Sequence, residues 1–229
     1  MKKHFRQKKN KKVQKDFNID SQVDRYFLER ENTIISKIGQ YHVSQLAHCL
    51  RRYYYDLIDP LETSGGNRVM ESGRYGHKFL QDVLKKTLKA RVEVPKKIEL
   101  DGGIVVLGNV DVVLPDCILE IKTVKALYDR PDFEVIYPHQ LQANSYMGMC
   151  KKRFGYVVYL SRSDFRTKQV RIPYDHELFK ELSKRAYKLD ECLKAEEVPA
   201  SEGKIMVRFR TDCMFCPYTD ACKLSSDSF

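Results

Sequence analysis

Hydrophobic positions along this chain switch between helical and strand-like periods, and the switches divide it into elements. Residues 19–38 form a short amphipathic stretch. Residues 42–60, HVSQLAHCLRRYYYDLIDP, place Leu46, Cys49, Leu50 and Tyr53 at helical spacing. Ser44 stands as the N-cap and Pro60 follows the end. Residues 66–90 continue as a second helix, with Val69, Tyr75, Phe79, Leu80, Val83 and Leu84 as its apolar face. Residues 91–100, 102–114 and 117–124 are strand-like and rich in Val and Ile. Helical spacing returns in 138–152, where Pro138 suits a first turn. Two more strands are expected in 153–163 and 167–175, then a long helix in 176–199 ended by Pro199. This order predicts an α/β domain with a mixed central β-sheet flanked by helices. Residues 209–223, FRTDCMFCPYTDACK, form a cysteine-rich appendage.

A chain of 229 residues suffices for one sizeable core with a small appendage. The expected division is a basic, disordered tail at 1–18, a core at 19–200 and a cysteine segment at 201–229 that packs back on the first core helix. Net charge is +10, and its distribution is uneven. Residues 1–15 carry eight Lys or Arg and no acid. Removing those eight from the 41 basic residues leaves 33 against 31 acidic ones. The tail reads either as a solubilising extension or as an arm that attracts phosphate. No apolar run is long enough to span a bilayer, and the N-terminal charges are not followed by a secretory apolar segment. The expectation is a cytoplasmic protein with no membrane partner. Seven cysteines, an odd number, point to reduced thiols or metal ligands rather than a disulfide framework.

The chemistry concentrates in residues 108–125, GNVDVVLPDCILEIKTVK. A two-residue turn at Pro115–Asp116 sets Val113 opposite Ile118, Val112 opposite Leu119 and Asp111 opposite Glu120, on one face of an antiparallel pair. Lys122 shares the face of Glu120. Two carboxylates this close repel unless a cation or proton separates them, and Mg²⁺ suits carboxylate oxygens. By itself this is also what a charge-paired wet face of a hairpin looks like.

The stretch GNVDVVLPDCILEIKT resembles the core of the PD-(D/E)XK nuclease superfamily, in its RecB-like group. The resemblance implies a restriction-endonuclease-like fold and a Mg²⁺- or Mn²⁺-dependent deoxyribonuclease, an exonuclease with some endonuclease action. It implies that Asp111, Glu120, His77 (from GRYGHKFL) and the carbonyl of Ile121 hold the metal. Lys122 assists the attacking water, and Gln142 and Tyr146, from QLQANSY, complete the catalytic set.

Cys213-x2-Cys216-x5-Cys222 is three thiols of a four-thiolate site, and Cys49 is the candidate fourth. Zn²⁺ and an iron–sulfur cluster both accept four thiolates, and the spacing does not choose between them. One early cysteine, the motifs, then the late three resemble RecB-like nucleases with a [4Fe–4S] cluster. The nearest are the CRISPR-associated adaptation exonucleases and their stand-alone phage relatives, in which the early cysteine is commonly followed by proline rather than Leu50. Cys117, Cys150 and Cys192 read as packing residues. The implied substrate is DNA, single-stranded or with single-stranded ends. The implied partners are a CRISPR integrase, a helicase, or phage replication and recombination proteins. The rival reading is a DNA-end-binding module of such a complex with weak catalysis. Arg51, Arg52 and Tyr53–Tyr55, with Lys125, Lys151, Lys152, Arg153, Arg162 and Arg166, are candidate DNA contacts, at least two of the tyrosines being core.

Overall fold

The computed structural model describes residues 18–28, 37–61, 68–127 and 134–224. Most of the basic tail (1–17), residues 29–36 and residues 225–229 of the cysteine segment lie outside them. Helix α1 (Ile19–Leu28) precedes strand β1 (Gln40–His42), short helix α2 (Val43–Leu46) and α3 (Leu50–Ile58). Helix α4 (Arg68–Leu88) leads to β2 (Arg91–Glu99), β3 (Val105–Val113) and β4 (Ile118–Val124). Then come α5 (Tyr137–Cys150), β5 (Phe154–Ser161), β6 (Thr167–Pro173) and α6 (His176–Ala195). Among the described residues, three short α-helices follow: α7 (Glu202–Ile205), α8 (Arg210–Cys213) and α9 (Thr219–Leu224). The strands form one mixed sheet flanked by helices, as the alternating pattern implies. Among the described residues no helix is long and apolar enough to cross a membrane.

The path through the sheet is β1-β3-β4-β5-β6. β2 runs antiparallel along one edge of β3 from end to end. The other edge of β3 is shared: β1 pairs in parallel at Val105–Leu107, and β4 pairs antiparallel at Val112 and Val113. The turn at Pro115–Asp116 holds as expected, with Leu114 N–H donating to the Cys117 carbonyl at 2.9 Å. The β3–β4 ladder ends at Val112–Leu119, while β4 is paired in parallel with β5 along its whole length, from Ile118 to Val124. Asp111 and Glu120 therefore stand where two strands part. The larger core lies between the sheet and α2, α3, α5 and α6, and includes Tyr41, Tyr53, Met147 and Leu189. A smaller core, with Leu80, Val112, Ile121 and Leu160, lies under α4.

Two local expectations are corrected. Ser44 is not an N-cap, and residues 43–58 are not one helix. His42 caps α2, the chain breaks at residues 47–49, and Cys49 (φ −54°, ψ 120°) begins α3. The break has tertiary causes. The buried Arg185 guanidinium on α6 donates to the carbonyls of Leu46 and His48, and Asp212 accepts the Cys49 N–H.

The second correction is the apolar face of α4. Leu80 is buried, but Val69 (61%), Tyr75 (50%) and Phe79 (47%) are exposed. The helix instead presents Gly73 and Gly76 to the sheet. A Cβ on Gly76 would meet Leu160 and Thr123 at 3.2 Å, and one on Gly73 would meet Thr123 at 2.9 Å. Close approach of the helix axis selects the face, and it carries the polar His77 and Gln81 inward with the glycines.

Candidate active site

The parting of β3 and β4 leaves backbone groups that side chains must satisfy. Asp111 Oδ2 accepts the N–H of Ile121 at 2.6 Å, in place of the strand carbonyl that the ladder no longer offers. His77, projecting from α4, meets the carbonyl of Ile121 through Nε2 at 2.6 Å and has Nδ1 3.7 Å from Asp111 Oδ1. Three of the expected groups, His77, Asp111 and the Ile121 carbonyl, thus converge at one strand opening.

Glu120 is 1% exposed. Its Oε1 pairs with Lys122 Nζ at 2.9 Å, whereas Oε2 is buried with no hydrogen-bond partner. Lys122 Nζ also donates to Gln142 Oε1 at 2.6 Å, and Gln142 hydrogen-bonds Tyr146. The expected helix pair on α5 is therefore wired to the lysine on β4. Tyr146 fits because residue 108 is glycine: a Cβ there would lie 2.6 Å from the tyrosine ring.

The electrostatics follow from burial. Burial, and then the charge of Glu120, push Asp111 well above the ordinary carboxylate range. Burial lowers His77, against the opposing pull of its bond to the Ile121 carbonyl, so its imidazole favours the neutral, metal-binding form. Burial and the carboxylates of Glu120 and Asp111 raise Tyr146, so it stays a hydroxyl donor. A buried carboxylate oxygen with no donor, beside a second carboxylate, a neutral imidazole and a carbonyl, is a donor set that fits a hard divalent cation.

Two contributors escaped the sequence reading. Glu93 and its strand neighbours alternate like any edge strand, which assigns its side chain to solvent. In the structure Glu93 has φ +48°, and the Glu93–Asp111 pair is missing from an otherwise continuous β2–β3 register. That distortion aims Glu93 at the site. Among the described residues, His77, Glu93 and Asp111 are the one trio of His, Cys or carboxylate ligand atoms within 4.8 Å of one another. Gln81 Nε2 bonds Glu93 Oε1 at 2.5 Å and reaches the Asp111 carbonyl at 3.5 Å. A groove runs past the trio, lined in part by Val69, Met70, Arg74, Lys78 and Arg162. Of the cations suggested for DNA contact, Arg162 lies here, held to Val69 O at 2.8 Å and Ser72 Oγ at 2.6 Å.

His139 lies on α5 one turn before Gln142, and its Nδ1 is 2.9 Å from the hydroxyl of Tyr159, the strand partner of Lys122. Burial, then the charges of Lys122 and His48, push this imidazole down to about 2. The unfolded chain takes up the proton near pH 6.5, so the folded form binds fewer protons between the two values. The stability this contributes is full above pH 6.5 and lost as pH falls toward 2, at up to about 1.4 kcal/mol per pH unit. Urea unfolding of wild type and His139→Gln at pH 5 and pH 7 is expected to show a smaller acid loss in the variant.

The second cluster closes the chain. Cys49, Cys213, Cys216 and Cys222 line one pocket, together with Arg51, Arg52, Ser201 and Asp212. Cys222 is lowered despite its burial, because Ser201 Oγ (3.4 Å) and Arg51 Nη1 (3.7 Å) hydrogen-bond its sulfur. Burial, then the neighbouring cysteines, raise Cys213. Arg51 is 4% exposed and donates to the Pro199 carbonyl at 2.6 Å, so it is a structural tie and not a surface phosphate contact. Tyr53 and Tyr54 are core, and Tyr55 stacks on Tyr218.

The amino end of α3 is capped from across the chain. Asp212 takes the Cys49 N–H at 2.9 Å, and Glu202 takes the Leu50 N–H at 2.8 Å. Arg185 binds both carboxylate oxygens of Glu202, at 2.6 and 2.8 Å. Nothing in the spacing of Arg185, Glu202 and Asp212 announces this, because partners 137 to 164 residues apart meet only in the fold. Gly203 belongs to the same joint, where a Cβ would collide with Cys213 Sγ.

No family model and no curated protein matches the chain. Among solved structures, the crystal structure of SSO0001 matches over 91% of this chain and 97% of that one, with a TM-score of 0.63 and 20% identity. An alkaline exonuclease from Laribacter hongkongensis matches over 69% and 90%, with a TM-score of 0.45 and 15% identity. A phage related exonuclease from Haemophilus somnus 129PT matches over 64% and 81%, with a TM-score of 0.47 and 14% identity. The chain shares the fold of SSO0001.

Proposed function

We propose that this protein is a metal-dependent nuclease that hydrolyses phosphodiester bonds of DNA, single-stranded or at single-stranded ends. The observation that carries the reading is the meeting of His77, Asp111 and the Ile121 carbonyl, with the charge of Glu120, whose Oε2 is buried and partnerless, acting on both side chains. Those four groups would hold Mg²⁺ or Mn²⁺, with Glu93 as a further carboxylate at the same opening. A divalent ion there supplies Lewis-acid polarisation of the phosphate and a lower pKa for the attacking water. The rest of the task falls to the chain. Lys122, fixed between Glu120 and Gln142, orients the water or meets charge that develops on the phosphate. Gln142 and the neutral Tyr146, both buried, hold Lys122 in place from behind, and the groove past His77 gives the strand its path.

The four cysteines are read as ligands of a structural [4Fe–4S] cluster. Zn²⁺ is the other group that accepts four thiolates. Arg51 and Arg52, in the same pocket, suit the negative charge of the cluster. The CRISPR-associated and phage settings, the division at residues 18 and 200, and the integrase, helicase or recombination partners remain parts of this proposal, drawn from the resemblance of the motifs.

End-labelled single strands of both polarities, incubated with cluster-replete protein in Mg²⁺ or Mn²⁺, are expected to shorten, and chelator is expected to stop the reaction. Tight binding of DNA ends with no cleavage in either metal would give the function to an end-binding module instead.

A further inference from the structure

A second basic surface lies away from the groove. Lys151, Lys152 and Arg153 follow α5 directly, and Arg171 comes from the edge strand β6. With Phe154 they line a concave surface at the tip of the β3–β4 hairpin, which Pro115 and the one acid, Asp116, complete.

Three features make this surface rigid. Lys151 is held at φ 54° as the left-handed cap of α5. Lys152 donates to the Pro115 carbonyl, tying the α5–β5 turn to the hairpin tip. The Arg171 guanidinium stacks over the Phe154 ring at 4.3 Å, and Phe154 is braced edge-on by Tyr156. Stacking leaves the in-plane N–H donors of Arg171 directed outward. The negative carbonyl end of α5 accounts for one neighbouring cation. It does not account for four cations from two elements around a single concavity.

The surface also faces the right way. Phe154 and Tyr156 pack against the smaller core under α4, so the concavity opens on the face of the sheet that carries His77. Along β5, Phe154 is four residues from Val158, the partner of Ile121. At about 3.3 Å per residue, that separation is about 13 Å.

We propose that the surface formed by Lys151, Lys152, Arg153, Arg171 and Phe154 is a second binding site for the phosphate backbone of a single-stranded nucleic acid. It grips the strand about 13 Å along β5 from the level of Ile121. The identity of this polyanion rests on the nuclease reading above; the site itself does not. Arg171 and the exposed Lys151 and Arg153 bind phosphates, and Lys152 acts mainly by holding the hairpin tip in place.

The test uses the full chain with Lys151→Glu, Arg153→Glu and Arg171→Glu combined, and leaves Lys152 intact. Fluorescein-labelled oligothymidylates are titrated in Ca²⁺, one long enough to span both sites and one of dinucleotide length. Long-strand affinity is expected to fall on the order of tenfold or more at low salt. The slope of log affinity against log salt is expected to shrink by about 2, for three phosphates at about 0.7 each. Affinity for the dinucleotide is expected to stay unchanged, and the neutral Lys151→Gln, Arg153→Gln, Arg171→Gln protein to fall between. Unchanged long-strand affinity and salt slope in a variant with a native circular dichroism spectrum overturn the proposal. So does loss of poly-glutamate binding with oligonucleotide binding intact, which assigns the surface to an acidic protein. Wild type that binds through this surface and never cleaves refutes the nuclease and keeps the site. Cleavage with surface-independent affinity refutes the site alone.

Discussion

Glu120→Gln protein is expected to lose metal-dependent cleavage by about a thousandfold, roughly 4 kcal/mol of transition-state stabilisation, while gaining thermal stability in the absence of metal. The two effects have one cause. Glu120 is 1% exposed and leaves Oε2 without a donor beside another buried carboxylate, an arrangement that disfavours the metal-free fold. The amide removes a charge from a site where burial and that charge already push Asp111 upward. It also removes the oxygen that a divalent ion needs. Lys122→Ala is expected to match the loss of cleavage without the gain in stability, since it strips Glu120 of its partner at 2.9 Å. Initial rates on end-labelled DNA and calorimetric melting of both proteins provide the check. Cleavage within tenfold of wild type in both variants would remove these residues from the chemistry.

Arg185→Leu is expected to be the most damaging substitution for stability, at about 3–5 kcal/mol. In a chain of this size that corresponds to a fall in melting temperature on the order of 10 °C. Arg185 is 3% exposed and its guanidinium serves Leu46 O, His48 O and both oxygens of Glu202, with its face over the Phe209 ring at 4.6 Å. Leucine leaves two carbonyls without this donor and strips the Glu202 carboxylate of its ion pair, with only the Leu50 N–H still bonded to it. The damage is expected to reach the cysteines, because Glu202 and Asp212 set the start of α3, where Cys49 stands. Anaerobic purification is expected to yield wild-type protein that is brown and Arg185→Leu protein with reduced iron content. A variant that melts like wild type and keeps its iron would show that Arg185 does not hold the joint.

Much of the fold was legible because local chemistry agrees with it. Pro60 and Pro138 sit at helix boundaries where a missing N–H is tolerated, whereas α6 ends at Ala195 with Glu196 as its left-handed cap, before Pro199 is reached. The Pro115–Asp116 turn sets the register of Val112 and Val113. Legibility failed where a distant partner outvoted local preference. The apolar face assigned to α4 is largely exposed because two glycines let the other face approach the sheet more closely. The helix expected across residues 44–58 is broken because Arg185 and Asp212 claim its backbone groups.

The candidate site divides along the same line. By itself, the sequence determined which chemistry is on hand: two carboxylates and a lysine spaced along a hairpin, a histidine upstream, a Gln/Tyr pair one helical turn apart, and three clustered cysteines with one remote. Spacing within a single element carries that information, because strand and helix periods fix which side chains are neighbours. Only the tertiary structure decided the remainder. It parts β3 from β4 at Asp111 and Glu120, brings Glu93 (φ +48°) within 4.8 Å of His77 and Asp111, leaves Glu120 Oε2 without a partner, and brings Cys49 to the other three cysteines. These outcomes depend on backbone groups released by one element and claimed by another far along the chain, which no local period encodes.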